Sequence, residues 1–163
     1  MNQIIPDHER RRVRDVMTTD VVKVHPETSV SEIARLMSEH DISGLPVVDE
    51  TDRVLGVVTE MDMMIRNTQF KMPAFIAFLD AIIYLETPGH YRERVERVLG
   101  TTAGEIMSEP AVTIEPHASI EALAELMVDR RMNPVPVVED SRLVGIVSRS
   151  DIIRLMAEGV EGA

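Results

Sequence analysis

The stretch G-V-V-T-E-M-D, Gly56 to Asp62, returns later in the chain as G-I-V-S-R-S-D, Gly145 to Asp151. Each copy sets a hydroxyl, Thr59 or Ser148, at the end of an apolar run and a carboxylate, Asp62 or Asp151, three residues on. That spacing places the acid in the first turn of a helix, where backbone N–H groups are unpaired and the positive end of the helix dipole lies. Such a turn can turn a hydroxyl and N–H donors toward a phosphate and a carboxylate toward a ribose diol. The same residues also have a purely local use, with the hydroxyls as N-caps and the acids offsetting the dipole. Capping alone, however, does not ask for the same pair in both copies.

Other chemistry finds little support. His8, His25, His40, His90 and His117 show no H-x-x-x-H spacing and cysteine is absent, so no metal site and no thiol nucleophile is expected. Lys23 and Lys71 are the only lysines, and no nucleophile stands with a base and an orienting acid, so no catalytic residue is assigned and the chain is not expected to be an enzyme. The methionine cluster Met61, Met63 and Met64 is assigned to packing, the commoner use of this adaptable side chain. A net charge of −11 over 163 residues disfavours nucleic acid while leaving room for a small anion in a local basic pocket. No apolar run reaches the roughly 20 residues of a membrane span, and the longest, Pro73 to Leu85, is interrupted by Asp80. The N-terminal residues lack the apolar segment of a secretory signal, so a cytoplasmic location is expected.

These motifs end two copies of one larger unit. The segment from Val16 to Asp49 matches the one from Ile106 to Glu139 without a gap, and after a one-residue deletion Arg53 onward matches Arg142 onward. Two copies at that distance favour face-to-face packing about a pseudo-two-fold axis, with clefts between them. In each copy Val30, Ile33, Ala34, Met37 and Ile120, Leu123, Ala124, Met127 follow the period of an amphipathic helix. Ser29 and Glu32 form a capping-box signature, whereas Ser119 faces Ala122, so only the first copy keeps both halves. Short β-branched runs read as strands: Val21 to Val24, Leu45 to Val48 and Val54 to Thr59, then Ala111 to Ile114, Val135 to Val138 and Leu143 to Ser148. A last helix opens at Met61 or Ser150.

The fold class expected is therefore α/β (α+β), two β-α-β-β-α repeats packed through their small sheets. The organisation is a tail 1–12, a first repeat 13–66, a helical insert 67–102, a second repeat 103–158 and a tail 159–163. In the insert, Phe75, Ile76, Phe78, Leu79, Ile82, Ile83 and Leu85 read as an apolar helix, followed by a charged one, His90 to Gly100. All five aromatic residues, Phe70, Phe75, Phe78, Tyr84 and Tyr91, fall there. They suit either a cover for another surface or packing on the same chain. The basic run Arg10 to Arg12 with Arg14 reads as a flexible tail or as a cover over a phosphate.

In its V-M-T and I-M-S openings, P-x-x-S helix starts, L-P-V-V-D and V-P-V-V-E strands and G-x-x-[TS]-x-x-D endings, the chain resembles a pair of cystathionine-beta-synthase (CBS) domains, a Bateman module. The resemblance covers roughly Val13 to Arg66 and Ala103 to Met156. It implies adenosine ligands in the clefts, with Asp62 and Asp151 on ribose hydroxyls and Thr59 and Ser148 beside ribose or phosphate. It also implies that Thr18, Val22, Ile42 and Ser43, and their counterparts Ser108, Val112, Met132 and Asn133, line the adenine. Arg130 and Arg131, opposite His40 and Asp41, with Arg149 opposite Glu60, then concentrate anion-binding charge in the second copy. This predicts one strong site, expected with Asp151, and one weaker or empty site. Arg130 and Arg131 also have a bland use, as cations at a helix C-terminus.

The function so implied is a regulatory sensor of adenosine nucleotides that acts on a partner protein by ligand-dependent conformational change. No obligatory cofactor is expected; the ligand candidates are AMP, ADP and ATP, with S-adenosylmethionine beside them. A homodimer is expected, without nucleic acid or membrane insertion. The alternative is an oligomerisation module that recruits an enzyme or transporter without significant nucleotide binding.

Overall fold

The structure, a computed structural model, describes residues 11–67, 75–78, 81–84 and 101–161. A short helix α1 (Val13–Val16) leads to α2 (Val30–His40), the hairpin β1 (Gly44–Val48) and β2 (Val54–Thr59), and α3 (Glu60–Asn67). The second copy repeats this order with α4 (Ala103–Ile106), α5 (Ile120–Asp129), β5 (Val135–Glu139), β6 (Arg142–Val147) and α6 (Arg149–Glu161). The fold is α+β, as the sequence pattern implies.

The insert departs from expectation. Residues expected to lie in an apolar helix form instead an antiparallel pair, β3 (Phe75–Phe78) and β4 (Ala81–Tyr84), with Phe75 opposite Tyr84 and Phe78 opposite Ala81. Apart from Ala77 and Ala81, the paired residues are aromatic or β-branched, types that lose side-chain freedom in a helix and suit a pleated surface. The charged helix expected at 90–100 lies outside the described residues, as do Phe70 and Tyr91.

The first strand of each repeat is shorter than its β-branched run. It shrinks to one parallel bridge, Val24 with Val47 and Ile114 with Val137. In the first repeat Val24 donates to Pro46 O at 3.1 Å and Val48 donates to Val24 O at 2.9 Å. The flanking valines serve as core and cleft wall rather than as ladder. The last helices open one residue before the expected Met61 and Ser150, at Glu60 and Arg149.

Helix starts also differ from the sequence reading. Ser29 Oγ accepts from Glu32 N at 3.3 Å and Ser119 Oγ from Ala122 N at 3.1 Å. The reciprocal half of the box at Ser29 is not made, because the Glu32 carboxylate is held by Arg35 at 2.6 and 2.8 Å. That contact also lowers the pKa of Glu32. The two helices are thus capped alike.

The core explains how the copies are joined. One cluster contains Val24, Val30, Ile33, Met37, Leu45, Val47 and Val58 of the first repeat together with Ala103 and Ile106 of α4. The other contains Leu123, Met127, Val135, Val137 and Val147 of the second repeat together with Val13 of α1. Each repeat therefore buries the opening helix of the other. The exchange is bonded through the backbone: Thr18 and Ile146 exchange two bonds of 2.9 Å, and Ser108 and Val57 exchange bonds of 2.9 and 3.3 Å. These bridges cover the outer edges of β6 and β2, which would otherwise be open to pairing.

The two repeated glycines follow from this exchange. A Cβ on Gly56 would lie 2.7 Å from Met107 Sδ and 2.9 Å from Ser108 O, and one on Gly145 would lie 2.5 Å from Met17 Sδ. Glycine is required where the exchanged segment crosses the strand. Arg11 and Arg14, expected in a tail or over a phosphate, lie on the second repeat instead: Arg11 pairs with Glu158 at 2.9 Å and Arg14 meets His117 Nδ1 at 3.3 Å.

Candidate functional site

Strand β2 ends at Thr59 and α3 begins at once, which leaves the first N–H groups of the helix to be satisfied locally. Thr59 Oγ1 accepts from Asp62 N at 3.3 Å, while Asp62 Oδ2 accepts from Thr59 N at 2.8 Å and from Thr59 Oγ1 at 2.7 Å. At β6 and α6 the pattern recurs, with Asp151 Oδ2 accepting from Ser148 N and Ser148 Oγ, both at 2.7 Å. The first motif is thus a full capping box, whereas in the second Asp151 N donates to Ser148 O at 3.2 Å and only the carboxylate half is made. Capping occupies one oxygen of each carboxylate and aims the other elsewhere. Asp62 Oδ1 accepts from Ser108 Oγ of the opposite repeat at 3.0 Å, and Asp151 Oδ1 faces Arg154 at 3.3 Å.

The exchange of opening segments makes two composite clefts. One, of about 280 Å³, is lined by Thr18, Val22, Ile42 and Ser43 of the first repeat and by Ile146, Ser148, Asp151 and Arg154 of the second. The other, of about 530 Å³, takes Ser108, Arg131, Met132 and Asn133 from the second repeat and Val57, Thr59 and Asp62 from the first. Each of these two clefts draws its lining from both repeats. Ser43 borders both, and Asn133 Nδ2 reaches Ser43 Oγ at 3.4 Å where the clefts adjoin.

Matches with known proteins bear on this arrangement. The CBS domain profile matches residues 13–66 and 103–158, more than half of the chain. The chain belongs to the CBS-domain family. This CBS pair is 31% identical to an uncharacterized protein of Methanopyrus kandleri, MK0525, over 88% of this chain and 61% of that one. Its fold matches the CBS domain pair of protein MJ0100 in complex with 5′-methylthioadenosine and S-adenosyl-L-methionine at a TM-score of 0.69 and 26% identity, covering 91% of this chain and 97% of that one. It matches CBSX2 of Arabidopsis thaliana in complex with AMP at a TM-score of 0.67 and 23% identity, covering 90% and 96%.

Most of the residues singled out in the sequence of this CBS pair converge on the two clefts. Thr18, Val22, Ile42, Ser43, Ser148 and Asp151 meet in one, and Ser43, Thr59, Asp62, Ser108, Arg131, Met132, Asn133 and Arg149 in the other. Val112 is half-buried and Arg130 is exposed, and neither lines a cleft among the described residues. Arg130 is the C-cap of α5, so its charge lies at the negative end of that helix.

The arginines stand with the other aspartate. Sequence reading pairs the basic charge with Asp151, but Arg131 and Arg149 line the Asp62 cleft. The reason is the exchange: the cleft that uses the first repeat's ending motif uses the second repeat's helix-to-strand turn. Arg149 N also donates to Asn133 Oδ1 at 2.8 Å, which ties the start of α6 to that turn. Met61 and Met64, assigned to packing, are 58% and 57% exposed and line the same cleft, whereas Met63 packs on the core.

Sequence reasoning missed Asp20, Asp41 and Arg154 as lining residues of the Asp151 cleft. Arg154 was visible in principle, since it stands three residues from Asp151 on one helix face. Among the described residues no group of three or more His, Asp and Glu side chains could hold a metal, and no described helix is long and apolar enough to cross a membrane.

Proposed function

We propose that this CBS pair is a regulatory adenosine-ligand-binding module that acts on a partner protein through the relative arrangement of its repeats. The observation that carries the reading is the composite cleft, in which a carboxylate oxygen left over from capping faces lining residues of the opposite repeat. A ribose diol held by Asp62 or Asp151 is then in contact with both repeats, so a bound ligand favours one arrangement over others. MJ0100 with its thioadenosine and sulfonium ligands and CBSX2 with AMP support adenosine compounds as the class, with AMP, ADP, ATP and S-adenosylmethionine as candidates.

The proposed roles are Asp62 and Asp151 on the ribose, Thr59 and Ser148 beside ribose or phosphate, and Val22, Ile42, Ser43, Met132 and Asn133 around the base. The module carries no catalytic residue in this reading, resides in the cytoplasm and forms a homodimer. Its domains are the repeats 13–66 and 103–158.

Calorimetric titration of the whole chain tests this. Saturable binding of at least one adenosine compound, no binding of guanosine monophosphate, and an affinity about tenfold weaker in Asp62→Ala or Asp151→Ala are expected, since a charge-assisted hydrogen bond contributes about 1.5–3 kcal/mol. Absence of saturable binding at millimolar ligand would overturn the reading.

That outcome would favour a second reading, an oligomerisation or recruiting module. It draws on the exposed apolar side chains Met61 and Met64 on α3 and Ile153 and Met156 on α6, the latter 64% and 63% exposed.

A further inference from the structure

The two clefts are built from the same repeat elements and differ in charge, one acidic and the other balanced. Turn residue 41 borders the Asp151 cleft and its repeat mate 131 borders the Asp62 cleft; both have φ of 52°. One is aspartate and the other arginine. Asp20 lines the Asp151 cleft where its repeat mate is Pro110. The charged lining of the Asp151 cleft is Asp20, Asp41, Asp151 and Arg154, three acids against one base. That of the Asp62 cleft is Glu60, Asp62, Arg131 and Arg149, two against two.

The bases also differ in what they are engaged with. Arg154 is paired with Asp151 itself at 3.3 Å, so it offsets the carboxylate rather than adding free positive charge. Arg131 and Arg149 form no ion pair with another described residue. A cavity of 280 Å³ has an equivalent radius of about 4 Å, within the screening length of about 8 Å at physiological salt, so any group inside it feels all three acids.

Building on the adenosine reading of the clefts, we propose that the pair sorts adenosine ligands by their 5′ group. The Asp62 cleft takes a 5′-phosphorylated adenosine, whose charge Arg131 and Arg149 meet. The Asp151 cleft takes an adenosine whose 5′ group is uncharged or cationic, a thioether or a sulfonium, and repels a phosphate. The module therefore reads two chemical classes at once, with Ser43 and Asn133 at the border between them.

Methyl NMR of the whole chain titrated with AMP and, separately, with 5′-methylthioadenosine tests the sorting. The methyl groups of Met61, Met64 and Met132 report the Asp62 cleft, and those of Ile42 and Ile146 report the Asp151 cleft. AMP is expected to move the first set at the lower concentration, and 5′-methylthioadenosine the second. Arg131→Asn and Asp41→Asn keep a residue that tolerates positive φ. Arg131→Asn should weaken AMP about tenfold and leave 5′-methylthioadenosine unchanged, while Asp41→Asn should strengthen AMP at Ile42 and Ile146. AMP filling the Asp151 cleft first, or both compounds filling both clefts equally, overturns the sorting while the adenosine reading stands. No shift from either compound overturns both.

Discussion

In the first repeat the residue after α2 is an aspartate in the left-handed conformation, and in the second repeat an arginine holds the equivalent place with the same φ of 52°. The hairpin turns differ in a similar way. Asp49 closes the first turn by accepting from Thr51 N at 2.8 Å, Thr51 Oγ1 at 2.7 Å and Arg53 N at 3.0 Å. The second turn, one residue shorter, relies on two successive positive φ values, 49° at Asp140 and 67° at Ser141. Core positions, by contrast, changed little: Ile33 and Leu123 are both fully buried, and Val47 and Val137 likewise. Duplication thus preserved what positions the clefts and released what a ligand meets, because a core substitution costs stability in both repeats and a rim substitution costs almost none.

This contrast can be broken most severely in the core. Ile33→Ala and Leu123→Ala should each destabilise by about 2–5 kcal/mol, by similar amounts, in denaturant unfolding. A large inequality would show that the two equivalent core positions are not packed alike. Next come the crossing glycines. Gly56→Ala brings a methyl against Ser108 O, whereas Gly145→Ala presses mainly on the flexible end of Met17, with Thr18 O at 3.2 Å. Both should destabilise by about 1–3 kcal/mol, Gly56→Ala more.

Thr59→Ala removes a hydroxyl that accepts from Asp62 N and should cost about 1 kcal/mol; Ser148→Ala should cost less, because Asp151 N donates to the Ser148 backbone oxygen instead. Ser141→Gly should raise stability by up to about 1 kcal/mol, since a two-residue hairpin loop with both φ positive favours glycine. The smallest effect is on pH. The hydrogen bonds of Thr51, then of the Arg53 and Thr51 backbone, lower the pKa of Asp49 below the usual aspartate value. Its contribution is therefore present above the unfolded pKa of about 3.9 and lost as pH falls through the lower folded value. Asp49→Ala should flatten the acid limb of the stability profile measured by denaturant unfolding.

Much of this was legible in sequence because it is written in local patterns. The amphipathic period set α2 and α5, the polar turns set the hairpins, and the paired hydroxyl and acid set both cleft corners. What escaped was non-local. Nothing in the period of Val13 or Ala103 says that each is buried in the other repeat's core, so the sequence alone does not show that Arg131 and Arg149 of the second copy line the Asp62 cleft. The repeated glycines carried the missing signal, since a strand glycine marks close backbone approach. In the insert, apolar continuity suggested a helix where β-branched and aromatic composition favoured strands.

Whether the composite clefts bind adenosine ligands is decided by thermal unfolding of the whole chain against AMP, 5′-methylthioadenosine and guanosine monophosphate. Binding to the native state raises the midpoint as RT ln(1 + [L]/Kd), by about 2.7 kcal/mol at a hundred times Kd. Saturable rises are expected with both adenosine compounds, additive when they are present together, and none with the guanosine control. Midpoints unmoved by either adenosine compound at millimolar concentration would contradict adenosine binding.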